Sequence, residues 1–321
     1  MRQRVTELLD QAQRLLVLSH RDPDGDALGA SLGLMHLLGR RGKQVSVYSA
    51  GPIPEEYEFL PGLERVSGEL PPAGELDLAV LLDCHQPRRT GEASGEFLEG
   101  FPRAVVVDHH QGRADYGLAA WVEPAYAATS QMLEELAGRA GWELDAKAAT
   151  CLFAGVMTDT GSFRYGNAGA EVFRCAARLV EAGASPWEIS QQVYATRPRR
   201  LALLGRILER LEYHAGGRLV VGKVSLADLE AVGGDSRDLE DAVEALRGIP
   251  GVEVAVLLRQ RPEGGVKASL RSRGEFDVAR LALEEGGGGH KNAAGFMSRE
   301  ELEPLARRLV RRLAAELEGG A

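Results

Sequence analysis

The 321-residue chain holds three cysteines, five lysines and no apolar run long enough to span a membrane. Cys84, Cys151 and Cys175 lie far apart, without the paired spacings of a zinc site or a disulfide framework, so reduced core thiols are expected. The scarcity of lysine leaves 33 of the 38 basic residues as arginine, a bias compatible with genome composition or with thermal adaptation. An excess of positive charge is also missing. A net charge of -9 argues against a broad grip on long nucleic acid, which needs many phosphate-neutralising cations, and leaves short or small phosphorylated ligands open. The opening stretch MRQRVTELLDQAQRLLVLSH lacks a signal peptide's continuous apolar core and cleavage site, so cytoplasmic residence is expected.

With 44% hydrophobic and 26% charged residues, the chain has the composition of a globular protein, long enough for two domains. Four apolar stretches, at 15–19, 45–49, 76–83 and 104–108, alternate with segments that hold helices or loops, the pattern of a buried, largely parallel sheet. Leu28, Leu32, Met35 and Leu38 fall on one face of a helix over 26–38, and further helices are predicted at 128–140, 146–158, 170–182 and 186–194. Residues 197–212 read as a basic amphipathic helix connecting two domains, whose arginines form a solvated face, with a nucleic-acid contact as the alternative. Beyond it, strands at 219–225, 252–260 and 265–273, helices at 238–247 and 277–283, a glycine run and a C-terminal helix suit a smaller α/β domain. The expected organisation is 1–190, a helical linker 191–214, and 215–321.

Polar residues gather where the apolar stretches end. His20, Asp22, Asp24 and Asp26 follow the first strand; Asp83 ends the third and Asp108, His109 and His110 the fourth; Asp159 closes an apolar helix. In open α/β sheets the crevice beyond the strands' carboxyl ends is where ligands bind. For the first cluster two readings stand side by side: Asp26 as a helix N-cap among turn residues, or acids gathered around a divalent cation. Asp159 at a helix C-terminus opposes the macrodipole, which a cation partner would relieve. Taken together, mixed carboxylate and imidazole donors suit Mn²⁺ and related first-row metals, and two such ions sharing a carboxylate fit phosphoester hydrolysis.

The order His-x-x-x-Asp-x-Asp (His20, Asp24, Asp26), strand-end Asp83, Asp-His-His (108–110) and Asp159 resembles the DHH phosphoesterase superfamily. Residues 265–296, GVKASLRSR through GGGGHKNAAGF, resemble the DHH-associated C-terminal domain, and the chain is most similar to the nanoRNase/pAp phosphatase branch. The resemblance implies two Mn²⁺ ions, with Mg²⁺ or Co²⁺ as substitutes, in a cleft between the two domains. His20 and Asp24 would bind one ion, Asp26, His109 and Asp159 the other, and Asp83 both. Asp108 would sit behind the ligands and orient an imidazole, leaving His110 to face the substrate phosphate or protonate the leaving group. Asp22 has no required role in the pattern, and His85, beside Asp83, has none to inherit.

In GGGGHKNAAGF a Walker A reading fails, because His290 stands before Lys291 where glycine is needed and Asn292 replaces Ser or Thr. Backbone amides at Gly288 and Gly289 beside His290 suit a phosphate grip; a flexible turn is the plainer alternative. The resemblance makes His290 and Arg271 partners of a terminal phosphate. It implies short single-stranded RNA, dinucleotides such as pApA, or 3'-phosphoadenosine 5'-phosphate (pAp) as substrates, with no long duplex and no membrane partner; a homodimer is compatible with it. Cyclic di-AMP hydrolysis and single-strand DNA exonuclease activity are alternatives on the same chemistry, and a non-catalytic nucleotide-binding regulator is one from another class. His36 and His214 are expected to be structural, on helices or at their ends.

Overall fold

Strand β1 (Arg14–Leu18) shows why the sheet forms: Leu15 and Val17 point to one face, Leu16 and Leu18 to the other, and all four are fully buried. The same two-sided burial recurs in β4 (Leu78–Leu82) and β5 (Ala104–Asp108), so helices must cover both faces. In the computed structural model, which describes residues 1–195, 197–239 and 242–319, these strands join β2 (Gln44–Tyr48), β3 (Val66–Ser67) and β6 (Ala119–Val122) in a six-stranded, all-parallel sheet of order β3-β2-β1-β4-β5-β6. The pattern of apolar stretches predicts four of these strands. β3 is two residues long and β6 is half exposed, too short and too mixed to stand out.

From β1 the chain adds β2 and β3 on one side, then returns to lay β4, β5 and β6 on the other. The reversal lies between β1 and β4, so a crevice opens beyond their carboxyl ends. One face carries α1 (Arg2–Gln11), α2 (Gly25–Arg40), α4 (Thr129–Ala140) and α5 (Ala146–Asp159); α3 (Glu92–Glu99) contributes Leu98 to the other. Helices α6 (Ala170–Glu181) and α7 (Pro186–Val193) complete this unit, Met1–Ala195.

Three glycines of α2, Gly25, Gly29 and Gly33, recur every fourth residue and lie against α5. A Cβ at Gly29 would overlap the carbonyl oxygen of Cys151, and one at Gly33 would stand 2.5 Å from a Leu152 methyl. The missing side chains let the two helix backbones approach, and α2 and α5 carry acids of the candidate site at their ends.

The second unit, Thr196–Ala321, has a mixed sheet of order β11-β12-β10-β9-β8-β7, built from β7 (Glu212–His214), β8 (Leu219–Val224), β9 (Val254–Gln260), β10 (Val266–Ser272), β11 (Gly288–His290) and β12 (Ala293–Ser298). Among the described residues of this unit, only β8 and β9 pair in parallel. Helices α11 (Val278–Glu284) and α12 (Leu302–Gly319) cover one face; α8 (Pro198–Glu209), α9 (Leu226–Val232) and α10 (Ala242–Arg247) cover the other. The segment expected to link two domains therefore supplies α8, whose Leu203 and Ile207 are buried in this unit's core.

Three expectations need correction. The helix read over 197–212 ends at Glu209, and His214 closes strand β7 rather than a helix. The helix read over 238–247 is a single 3-10 turn, Ser236–Leu239, and α10, with residues 240 and 241 outside the described ones. The glycine run is not an open loop, since Gly288 and Gly289 pair with β12.

Candidate metal centre

Each strand at the reversal delivers one acid or imidazole to the crevice. His20 follows β1; Asp83 follows β4 at φ 58, a left-handed conformation unusual for a residue with a side chain. Such strain costs on the order of 1–3 kcal/mol and persists where the surroundings over-determine it. His109 and His110 follow β5, whose last residue is Asp108. Asp24 and Asp26 come from the start of α2, and Asp159 is the last residue of α5.

The side chains converge in three overlapping groups, His20/Asp24/Asp83, Asp26/His109/Asp159 and Asp83/His109/His110, each with ligand atoms within 4.8 Å of one another. Nε2 of His20 lies 3.3 Å from Asp83 Oδ2 and 3.8 Å from Asp24 Oδ1. Nε2 of His109 lies 3.0 Å from Asp159, 3.4 Å from Asp83 Oδ1 and 3.9 Å from Asp26. The two oxygens of Asp83 thus face different groups. Nδ1 of His109 donates to the carbonyl of Tyr126 at 3.4 Å, leaving Nε2 buried without a hydrogen-bond partner among the described residues. Asp22 is exposed beside Arg21, away from these groups.

The helix-cap reading of the first cluster needs revision in detail. Asp24 is the N-cap of α2, accepting from the amides of Asp26 and Ala27. Asp26 is fully buried and caps a different helix: it accepts from Thr129 N at 2.5 Å and Ser130 N at 2.9 Å, at the start of α4. Thr129 also donates its hydroxyl to Asp83 Oδ1 at 3.0 Å. Nothing in the local sequence marks Thr129 or Tyr126, because both act on residues remote in the chain.

Residues 14–156 match the DHH family, N-terminal domain, and residues 216–316 match the DHHA1 domain. The chain is 38% identical over 284 residues to the bifunctional oligoribonuclease and PAP phosphatase NrnA of Thermus thermophilus, spanning 88% of this chain and 83% of that protein. The chain belongs to the DHH family. A protein of the same name from Bacillus subtilis is 26% identical over 287 residues, 88% of each chain. The crystal structure of an exopolyphosphatase-related protein from Bacteroides fragilis superposes with a TM-score of 0.90 at 27% identity, covering 99% of this chain and 97% of that one.

The DHH residues of this chain form a site short of positive charge. Among the described residues, no lysine or arginine pairs with Asp24, Asp26, Asp83 or Asp159; their only ion-pair partners are histidines. Burial, then the charges of Asp83 and Asp159, push the Asp26 carboxyl well above the usual range. Burial raises Asp159 to about 6, against the nearby His109. Burial opposes charge on Asp83 too, but His109 and His20 hold it below the usual range. The histidines respond in kind. Burial works against their charge, yet Asp24 and Asp83 raise His20 to about 10, and Asp159 and Asp83 raise His109 to about 11. Buried carboxyl groups and imidazoles gathered without a lysine or arginine, with His109 Nε2 left without a hydrogen bond, are the donor set a divalent cation would fit.

Asp108 stands apart from the three groups. It is fully buried and accepts from His110 N at 3.0 Å and His110 Nδ1 at 2.8 Å on Oδ1, and from His85 Nδ1 at 2.6 Å on Oδ2. In the DHHA1 domain, Arg271 donates to Glu244 at 2.5 Å, which also pairs with Arg247; His290 is exposed, and Lys291 pairs with Glu275. His36 bonds the Pro61 carbonyl at 2.8 Å, a structural contact. Among the described residues no helix is long and apolar enough to cross a membrane.

Proposed function

We propose that this DHH phosphoesterase hydrolyses short 5'-phosphorylated oligoribonucleotides, such as pApA, to mononucleotides, and pAp to AMP, with two Mn²⁺ ions. The observation that carries this reading is the pair of groups His20/Asp24 and Asp26/His109/Asp159 with Asp83 facing both. The names of the relatives from Thermus thermophilus and Bacillus subtilis support the choice of substrate. Divalent ions held there would supply an acidified water and the positive charge that offsets an in-line phosphoryl displacement. His20 and Asp24 would hold one ion and Asp26, His109 and Asp159 the other, with Asp83, whose two oxygens face different groups, available to each. Asp108 fixes the ring of His110, which then presents Nε2 to the phosphate or the leaving oxygen. Arg271, His290 and whichever amide of Gly288 and Gly289 is not taken by β12 would bind the substrate's other phosphate; Glu244 keeps the Arg271 guanidinium in place until it arrives.

The test is a panel of pAp, pApA, cyclic di-AMP, pyrophosphate and RNA of two to five nucleotides, with Mn²⁺ and with a chelator. Comparable rates on pAp and short RNA, lost with the chelator and in Asp83→Ala, are the expected outcome. Exclusive cleavage of pyrophosphate or of cyclic di-AMP would overturn the substrate assignment, and full activity of Asp83→Ala would overturn the mechanism.

A further inference from the structure

His85 lies two residues beyond Asp83, is 7% exposed, and takes no part in the three ligand groups. Its ring is held at both ends by the loop that carries His109 and His110. At one end Nδ1 donates to Asp108 Oδ2 at 2.6 Å. At the other, Gly112 lies on the ring: a Cβ there would stand 2.5 Å from Nε2 and 2.7 Å from Cε1, and Gly112 has φ 141, a conformation that favours glycine. Asp108 is a fully buried carboxylate whose ion pairs among the described residues are His85 on one oxygen and His110 on the other. It cannot turn about its own axis without breaking one of them.

From this arrangement we infer that His85 is a positioning residue for His110, acting through Asp108; the inference rests on the hydrolytic reading above. The bond from His85 sets the plane of the Asp108 carboxylate. That plane fixes His110 with Nδ1 as donor, so Nε2 of this partly exposed ring is the atom left for substrate. Without His85, Asp108 Oδ2 is a buried acceptor with no partner, the carboxylate reorients, and His110 loses its fixed direction.

His85→Leu removes the donor, while His85→Asn places its side-chain amide where Nδ1 was. With the Mn²⁺-loaded enzyme and pApA, His85→Leu is expected to lower kcat about 10–100-fold, with KM and Mn²⁺ affinity within about twofold of wild type, and His85→Asn to restore most of the loss. A second readout needs neither metal nor substrate. In proton–nitrogen NMR of the chelated protein, the Nδ1–H signal of His110 should shift or vanish in His85→Leu and persist in His85→Asn. Wild-type kcat with an unchanged His110 signal in His85→Leu would overturn the inference, as would loss of Mn²⁺ affinity in place of kcat. If His85→Leu does not fold, loss of the His110 signal in folded His85→Asn overturns it and retention supports it. A wild-type protein inactive on every phosphoester would count against the hydrolytic reading alone, with the NMR comparison still deciding the role of His85.

Discussion

Gly29→Ala adds one methyl group to α2, away from the side chains of the candidate site, and is expected to disable that site. The new Cβ would overlap the Cys151 carbonyl oxygen and lie 3.0 Å from Gly155 N and 3.2 Å from Gly155 Cα, all backbone atoms that cannot swing aside. Relief requires α2 and α5 to part by about 1 Å, since non-bonded atoms pack at ~3.5–4.0 Å. Overpacking of this kind costs about 1–3 kcal/mol, which for a unit of this size lowers Tm by roughly 2–4 °C per kcal/mol. The functional effect should be larger than the loss of stability. Asp24 and Asp26 ride on α2 and Asp159 on α5, and a site of this type tolerates only about 0.5 Å of drift. A misplacement of about 1 Å can cost ~100-fold in rate. The assay is Mn²⁺-dependent hydrolysis of pApA together with thermal unfolding, both compared with Gly39→Ala. Gly39 is in the same helix with nothing within 4 Å of its added Cβ, so that variant should be neutral or slightly stabilising. A Gly29→Ala protein with wild-type Tm and rate, or equal damage from Gly39→Ala, would refute the close-packing argument.

Thr129→Val removes the hydroxyl that donates to the buried Asp83 carboxylate, a bond worth about 1.5–3 kcal/mol to a charged acceptor. A lower Tm in chelator and weaker Mn²⁺ binding by calorimetry are expected, and unchanged values would remove Thr129 from the site's support. Metal binding should also depend on pH. In the metal-free chain His20 and His109 keep their protons well above the ordinary 6.5, to about 10 and about 11, and a ligand imidazole must be neutral. Mn²⁺ binding at neutral pH therefore releases protons and tightens from pH 6 to pH 8; calorimetry in two buffers of different ionisation enthalpy reads the release, and zero net release refutes it. Because both folded values are raised, the stabilisation from these imidazolium ions in chelated protein is complete below about 6.5 and fades as pH climbs through about 10, which pH-dependent unfolding in chelator checks.

The strand ends were legible from the chain because two-sided burial writes itself as short apolar runs, and a carboxylate or imidazole directly after such a run has to stand at the sheet's rim. That local rule reaches His20, Asp83, His109 and the β1, β4 and β5 strands that deliver them. It misses β3 and β6, whose few residues carry no periodic pattern, and it reads Gly288 and Gly289 as a loop because pairing with β12 is not a property of glycine.

The sequence by itself determined which acids and imidazoles gather at the site, their order along the chain and the class of chemistry, since residue type and position relative to the apolar runs are enough for that. Tertiary structure decided how the donors are supported. Asp26 caps α4 from 103 residues away, Thr129 reaches Asp83 across 46, His85 meets Asp108 across 23, and the glycines of α2 matter only because α5 lies against them. Hydrogen bonds and close packing act over a few ångströms whatever the separation in sequence, so these supports have no local signature; they exist only once the sheet has brought its strand ends together.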